Sequence, residues 1–475
     1  MIAHLKPYPA YKDSGVPWLG DAPQHWEVRR GKWLFRHRKL LNSDRADSNV
    51  LSLTLRGVVN NDPDNPEGLV PKDYATYQLF RKGDLVFKLI DLENLRTSRV
   101  GLVHEDGIMS SAYVRLTPQK VVDIRFFFQQ YFDLYQRGIY NQLGAGVRST
   151  LGPTDLLDLS VVVPPLPEQT AIVRFLDHMD RRIRKYIGAK QKLIKLLEEQ
   201  KQAIIHRAVT RGLDPNVRLK PSGIEWLGDV PEHWEVRRLR YLIEGKLTYG
   251  ANAAAEYTNP DWPRYLRITD FGTDGTLRNN SFRSLPPEIA KDYLVQAGDI
   301  LLARSGATVG KAFLVTTGAG EACHAGYLIR ARPRREVIVP EFLFAFTQST
   351  GFIGWKDSTF IIATIQNIGA GKYAGLPVPL PPIREQSAIV RFLQKDTDTI
   401  LAAIDRAQRE ISLLREYRTR LIADVVTGKL DVREAAAKLP EEVEEPTSLE
   451  DMDAVEDEDT IDEVETEPTI DKEDS

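Results

Sequence analysis

The chain repeats its own frame at a long period. Residues 14–30 read SGVPWLGDAPQHWEVRR and residues 222–238 read SGIEWLGDVPEHWEVRR, thirteen identities in seventeen positions at an offset of 208. A second echo pairs PPLPEQTAIVRFL at 164–176 with PPIREQSAIVRFL at 381–393, ten identities in thirteen at an offset of 217. A period near 210 residues is far longer than any solenoid repeat, so one domain is duplicated rather than arrayed. A duplicated binding domain suits a target that itself has two parts.

Length and composition narrow the class. At about 150 residues per domain, 475 residues allow roughly three domains, and a 42% hydrophobic fraction is enough for real cores. No apolar run approaches the roughly 20 residues a membrane helix needs. The start of the chain lacks a basic-then-apolar signal pattern. The single cysteine, Cys323, rules out a disulfide framework, so a cytoplasmic, reducing compartment is expected. Cys323 adjoins His324 without further ligands at metal spacing, and reads as a small buried thiol. The net charge of −4 hides a split: residues 441–475 hold 18 acidic residues against Lys472, so the tail carries −17 and the first 440 residues +13. The tail is rich in Glu, Asp, Thr and Pro and reads as disordered. The basic body is what a nucleic-acid binder needs, although basicity alone is a weak signal.

Between the repeated motifs the two halves have diverged over a common skeleton. Gly83-Asp84-Leu85-Val86, Val100-Gly101-Leu102-Val103 and Ala112-Tyr113-Val114-Arg115-Leu116 read as three strands. Gly298-Asp299-Ile300-Leu301, Ala312-Phe313-Leu314-Val315 and Gly326-Tyr327-Leu328-Ile329 are their counterparts. An aromatic stretch follows each trio, from Phe126 to Tyr135 and from Phe342 to Phe346, and reads as a buried helix. After the Pro-Pro hinges come the long helices. Ile172, Leu176, Met179, Ile183, Tyr186, Lys190, Leu193, Leu197, Gln200 and Ile204 step by four and three, a heptad seam. A similar seam runs from Ile389 to Leu421 with one slip near Thr397. Glu168 and Glu385 suit a first helical turn, and Gly212 and Gly428 suit helix stops. About 43 residues at 1.5 Å rise make each helix roughly 65 Å long. Pairing within one chain is favoured, because the two helices share a high effective concentration.

Catalytic motifs are not found. Ser305 to Ala312 imitates a phosphate loop, but only three residues separate Gly306 from Gly310, and Ala312 follows Lys311 where Ser or Thr is needed. Asn259-Pro260-Asp261-Trp262 approaches an adenine-methyltransferase motif but lacks its second proline and a nearby glycine-rich cofactor loop. His25 and His233 recur beside Trp26 and Trp234, which points to packing or capping in the shared frame.

Two diverged segments, each preceded by Trp-Leu-Gly-Asp-x-Pro-x-His-Trp-Glu and followed by Pro-Pro-x-x-Glu-Gln and a long helix, resemble the specificity subunit of type I restriction-modification systems. The resemblance covers the chain to about residue 438; the acidic tail lies outside it. It implies an α+β fold: two globular mixed α/β target recognition domains separated by a long antiparallel two-helix coiled coil, a pseudo-twofold repeat, and a disordered acidic tail. The first recognition domain is expected over 1–163, the first spacer helix over 164–212, the second recognition domain over 213–380, the second spacer helix over 381–430, and the tail over 431–475.

It further implies a non-catalytic subunit that reads a bipartite sequence in double-stranded DNA. Two modification (methyltransferase) subunits and two restriction (ATP-dependent motor-nuclease) subunits are the implied partners. No cofactor is expected on this chain; S-adenosylmethionine, ATP and Mg²⁺ belong to those partners. The competing reading is a coiled-coil scaffold that does not touch DNA. Base edges are read mostly by Arg, Lys, Asn and Gln. Near strand ends and glycine-rich turns, the candidates are Lys88, Arg96, Arg99 and Arg148 in the first half and Arg267, Arg304, Lys311 and Lys372 in the second. The Gly144-Ala145-Gly146 turn beside Arg148 is one such place, since glycine lets backbone approach phosphate closely.

Overall fold

The computed structural model describes residues 5–440, apart from 56, 63–70, 72, 91, 93–98, 144–149, 273–276, 279, 306–307 and 360–366. Arg96, Arg148, the Gly144-Ala145-Gly146 turn and the acidic run after Pro440 lie outside the described residues. The chain divides into two units, residues 1–191 with 409–475 and residues 192–408.

In the first unit the repeated Glu-Val-Arg-Arg forms strand β1 (Glu27–Arg30), followed by β2 (Phe35–His37), β3 (Leu85–Phe87), β4 (Val100–Leu102) and β5 (Val114–Pro118). Helix α1 (Ile124–Gln136), β6 (Ser160–Val163) and the 46-residue α2 (Leu166–Arg211) follow. Strands β2, β5, β3 and β4 lie in that order in one antiparallel sheet. The three strands read from sequence are β3, β4 and β5. A further pair, Gln78–Phe80 with Gly107–Met109, is not among them.

The second unit repeats the plan. Its elements are β7 (Glu235–Arg238), β8 (Thr248–Tyr249), β9 (Ile300–Ala303), β10 (Ala312–Leu314), β11 (Leu328–Ala331), α3 (Pro340–Thr347), β12 (Pro377–Leu380) and the 44-residue α4 (Ile383–Val426). The sheet order β8-β11-β9-β10 is that of the first unit, element for element.

The Gly-Asp turns explain why the sheets match despite divergent sequence. Gly83 and Gly298 take positive φ of 88° and 96°, a region open to glycine without strain. The following aspartates are buried and accept from backbone three residues upstream: Arg81 N to Asp84 (2.7 Å) and Gln296 N to Asp299 (2.9 Å). Each aspartate then pairs with an arginine of the neighbouring strand region, Arg115 Nε to Asp84 (2.5 Å) and Arg332 in a two-pronged pair with Asp299 (both 2.8 Å). A buried carboxylate thus joins the turn to the strand beside it.

The aromatic helices cover these sheets. Asp123 caps α1, accepting from Arg125 N at 3.1 Å, and Phe126, Phe127, Tyr131 and Leu134 bury along one face. Pro340 opens α3, which buries Phe342, Leu343 and Phe346. Each fully buried Phe contributes about 1.5–3 kcal/mol by burial. The long helices are divided between the units. In the first, Lys190 Nζ meets Glu410 at 2.6 Å and Arg418 meets Asp180, so α2 and the end of α4 run in opposite directions there. In the second, Ile205 and Val209 share a core with Ile389 and Leu393. Cys323 and His324 are fully buried in the second unit. Burial pushes the thiol up to about 12 and holds the imidazole below its ordinary value; His324 Nδ1 bonds Tyr293 O at 2.9 Å, so both are structural.

Candidate nucleic-acid interface

The repeated residues build a socket in each unit. Strand β1 pairs antiparallel with β6, Glu27 opposite Val163, and β7 pairs with β12, Glu235 opposite Leu380. This brings the His-Trp pair beside the hinge and its Glu-Gln. His25 Nε2 donates to Glu168 at 2.9 Å, and His233 Nε2 to Glu385 at 2.9 Å. Gln169 donates to Pro164 O (2.8 Å) and accepts from Asp123 N (2.9 Å), so it ties the hinge to the start of α1. Gln386 does the same with Pro381 O (2.9 Å) and Val339 N (2.8 Å) at the start of α3. Trp26 and Trp234 are fully buried. A Cβ on Gly428, past the end of α4, would stand 2.9 Å from Trp26; one on Gly212, past the end of α2, would stand 3.3 Å from Trp234. Each tryptophan therefore meets the start of one long helix and the end of the other. The matched histidines pack and orient, as their recurrence suggests.

The sockets differ in one respect. In the first, Glu168 also accepts from Tyr8 Oη (2.6 Å) and Trp26 Nε1 (3.1 Å), while Arg433 lies over the Tyr8 ring at 5.1 Å. Burial and the Glu168 contact push the Tyr8 phenol well above its ordinary value, so it stays a donor. Trp234 Nε1 has no partner among the described residues.

From this frame the sheets present one matched hairpin end. Lys88 follows β3 and Arg99 precedes β4; Lys88 N donates to Arg99 O at 3.0 Å. In the second unit Ala303 N donates to Lys311 O at 2.8 Å, and Arg304 follows at once. Four candidates thus gather at one hairpin end, Lys88 with Arg99 and Arg304 with Lys311; Lys311 matches Arg99, whereas Lys88 matches Ala303 and Arg304 stands one residue beyond it. They are not equally disposed. Lys88 is half-buried and Lys311 exposed. Arg99 is fully buried and donates to Ile90 O at 3.4 Å. The Arg304 guanidinium lies 5.0 Å from the centre of the Tyr249 ring, whose hydroxyl accepts from Ala370 N at 3.0 Å. That bond brings in the short helix Ala370–Ala374, where the exposed Lys372 donates to Thr359 O at 3.1 Å. Arg304 thus lies against the exposed Tyr249, which bonds the helix carrying Lys372, and Arg304 N donates to the carbonyl of the exposed Tyr327 at 3.0 Å. Arg267 is held inside by Asp270 (2.9 Å) and Ser281 O (3.1 Å).

Sequence reading missed a second cationic place. Arg237, Arg238, Arg240 and Arg334 wall an open cleft of about 610 Å³ with Val236 and Tyr241. Two of these arginines stand in the repeated motif and so read as frame. The available signal was alternation: Arg237-Arg238-x-Arg240-Tyr241 matches Arg29-Arg30-x-Lys32-Trp33, and both aromatics are more than half exposed. Among the described residues no group of His, Cys, Asp and Glu could hold a metal ion, and no helix is long and apolar enough to cross a membrane.

Comparison with known proteins adds the family. The profile described as "Type I restriction modification DNA specificity domain" matches twice, over residues 23–195 and 231–410. A Methanocaldococcus jannaschii protein described as the MjaX type I restriction enzyme specificity subunit is 23% identical over 453 residues, 87% of this chain and 96% of the relative. The Escherichia coli EcoBI specificity subunit is 24% identical over 351 residues, 68% of this chain and 73% of the relative. Among solved structures, a chain from a study of complex assembly and conformational transition of the type I R-M system superposes with TM-score 0.63. It is 16% identical, with 86% of this chain and 99% of that chain covered, so it speaks to the fold.

Proposed function

This chain belongs to the type I restriction modification DNA specificity family, as a specificity subunit with two recognition domains, and from that premise we propose how it works. Each unit reads one half of a bipartite target in double-stranded DNA. The observation that carries this is one sheet order on one frame, made twice, with the candidate surfaces outside the repeated residues. A common frame holding two different readers suits an asymmetric, split sequence.

The long helices act as the spacer. The Lys190–Glu410 and Asp180–Arg418 pairs support an antiparallel coiled coil of the two long helices. The 46 residues of α2 span about 69 Å at 1.5 Å per residue. DNA rises about 3.4 Å per base pair, so helix length becomes a count of unread base pairs.

Chemistry resides elsewhere. Two modification subunits bearing S-adenosylmethionine and two restriction subunits using ATP and Mg²⁺ dock on this non-catalytic chain in the cytoplasm. Phosphate contacts supply affinity, and base edges supply choice. In the second unit the Arg304, Tyr249 and Lys372 surface is the proposed reader; in the first, Lys88 lies at the same hairpin end, one position earlier. The acidic tail shields the basic body before assembly. A gel-shift assay on the complex reconstituted with its modification subunits tests the reading. Specific binding that weakens steeply with salt is expected; absent or salt-independent binding returns the scaffold alternative.

A further inference from the structure

The cleft missed by the sequence reading differs between the two units in a way the shared frame makes exact to compare. Arg334 N donates to Leu242 O at 2.8 Å, and Gln119 N to Leu34 O at 2.9 Å; Leu34 and Leu242 are 208 apart, as in the repeated motif. Gln119 therefore stands where the second unit has Arg334. Arg30 pairs with Ser160, and Arg238 with Pro377, so Asp158 and Gly375, each two residues earlier, are also counterparts.

These two exchanges set the local charge. In the first unit Asp158 takes both available cations, Lys32 at 2.7 Å and Arg30 at 3.5 Å, while Arg29 pairs with Glu27. Three cations face two carboxylates. In the second unit Arg237 pairs with Glu235 at 2.6 Å, and Gly375 offers no carboxylate. Arg238 has no carboxylate partner among the described residues. Arg240 rests 4.9 Å from the Tyr241 ring centre, and Arg334 donates Nε to Ile243 O at 2.8 Å. Four cations face one carboxylate around an open cleft. All four arginines are exposed.

We propose that this cleft is a phosphate-backbone clamp for duplex DNA, present in the second unit and neutralised in the first. The inference rests on the DNA-reading function proposed above and adds to it an asymmetry between the readers. Arginine forks grip phosphate oxygens in two-pronged bonds, and a phosphate row suits an open cationic cleft without an apolar floor. Arg334 alone lies in the diverged segment, beyond β11; Arg237 and Arg238 extend from frame strand β7 and Arg240 from the turn that follows it. Their contribution is therefore affinity and register, not choice of base.

Salt dependence tests this directly. The full chain, assembled with its modification subunits, is titrated with a duplex carrying its methylation motif and with a scrambled duplex, from 50 to 250 mM salt. Each phosphate contact adds about 0.9 to the slope of log affinity against log salt, so Arg238→Gln with Arg240→Gln is expected to flatten the slope by about 2 on both duplexes. Arg238→Lys with Arg240→Lys is expected to keep the slope, which separates charge from folding damage. Arg30→Gln with Lys32→Gln is expected to change it by less than half as much. An unchanged slope in the Gln pair would overturn the clamp. So would a loss confined to the motif duplex, which would make these residues base readers. Failure of the Gln pair to retain the modification subunits would overturn it too, assigning the cleft to protein docking. Failure of the unaltered complex to bind either duplex would instead refute the DNA-reading function itself.

Discussion

Glu168 and Glu385 occupy the same place in the repeat yet hold different numbers of partners. Glu168 gathers Tyr8, His25 and Trp26, whereas Glu385 holds His233. The His-Trp and Glu-Gln motifs were legible as frame because they recur. Tyr8 was not, because residue 216, its counterpart at the 208 offset, is Asn216, and recurrence was the only signal. Arg99 read as a candidate contact because it stands near a strand end; hairpin pairing places its side chain fully inside. At this scale Gly428 gives a sharp prediction. Its φ is +79°, and an added Cβ would lie 2.5 Å from Pro23. Gly428→Ala is expected to destabilise the first unit by at least about 1–2 kcal/mol from the left-handed backbone alone. Gly212→Ala, with its nearest contact at 3.1 Å, is expected to cost the second unit less. Hydrogen exchange of each unit's core measures both. Gln169→Ala removes two hydrogen bonds and is expected to cost about 1–3 kcal/mol, with loosened exchange protection at the start of α1.

The elements were more legible than the residues. The Gly-Asp turns marked β3 and β9, because a positive-φ glycine followed by a capping aspartate is a local device. The heptads marked the long helices. The pairing of Gln78–Phe80 with Gly107–Met109 was not legible, since short strands outside the repeated skeleton are chosen by tertiary contact. The spacer reading makes a prediction here. Lys190 and Glu410 lie at one level of α2 and α4. Seven residues inserted before each would lengthen the rod by about 10 Å, or about three base pairs. The methylated motif is expected to keep both halves and widen its gap by that amount. A gap of unchanged length would contradict a spacer role.

For the whole molecule, duplication was the decisive sign. It revealed two units with one plan, and the structure shows that the sheet order is retained while the charges at matched places are not. Asp158 and Gly375 stand at the 217 offset of the second echo, but the other half of the charge asymmetry was beyond the sequence because Arg334 and Gln119 align only through their backbone bonds. The tail enters at this scale too. Removing residues 441–475 takes −17 from the chain, and is expected to strengthen binding to unrelated DNA at low salt, with the difference vanishing as salt screens it. Equal binding at low salt would reject shielding. The central claim is that this chain specifies a two-part DNA sequence for methylation. Sequencing methylated bases in the host with and without this gene tests it most directly. The account predicts that one bipartite motif disappears with the gene; an unchanged set of methylated motifs would contradict it.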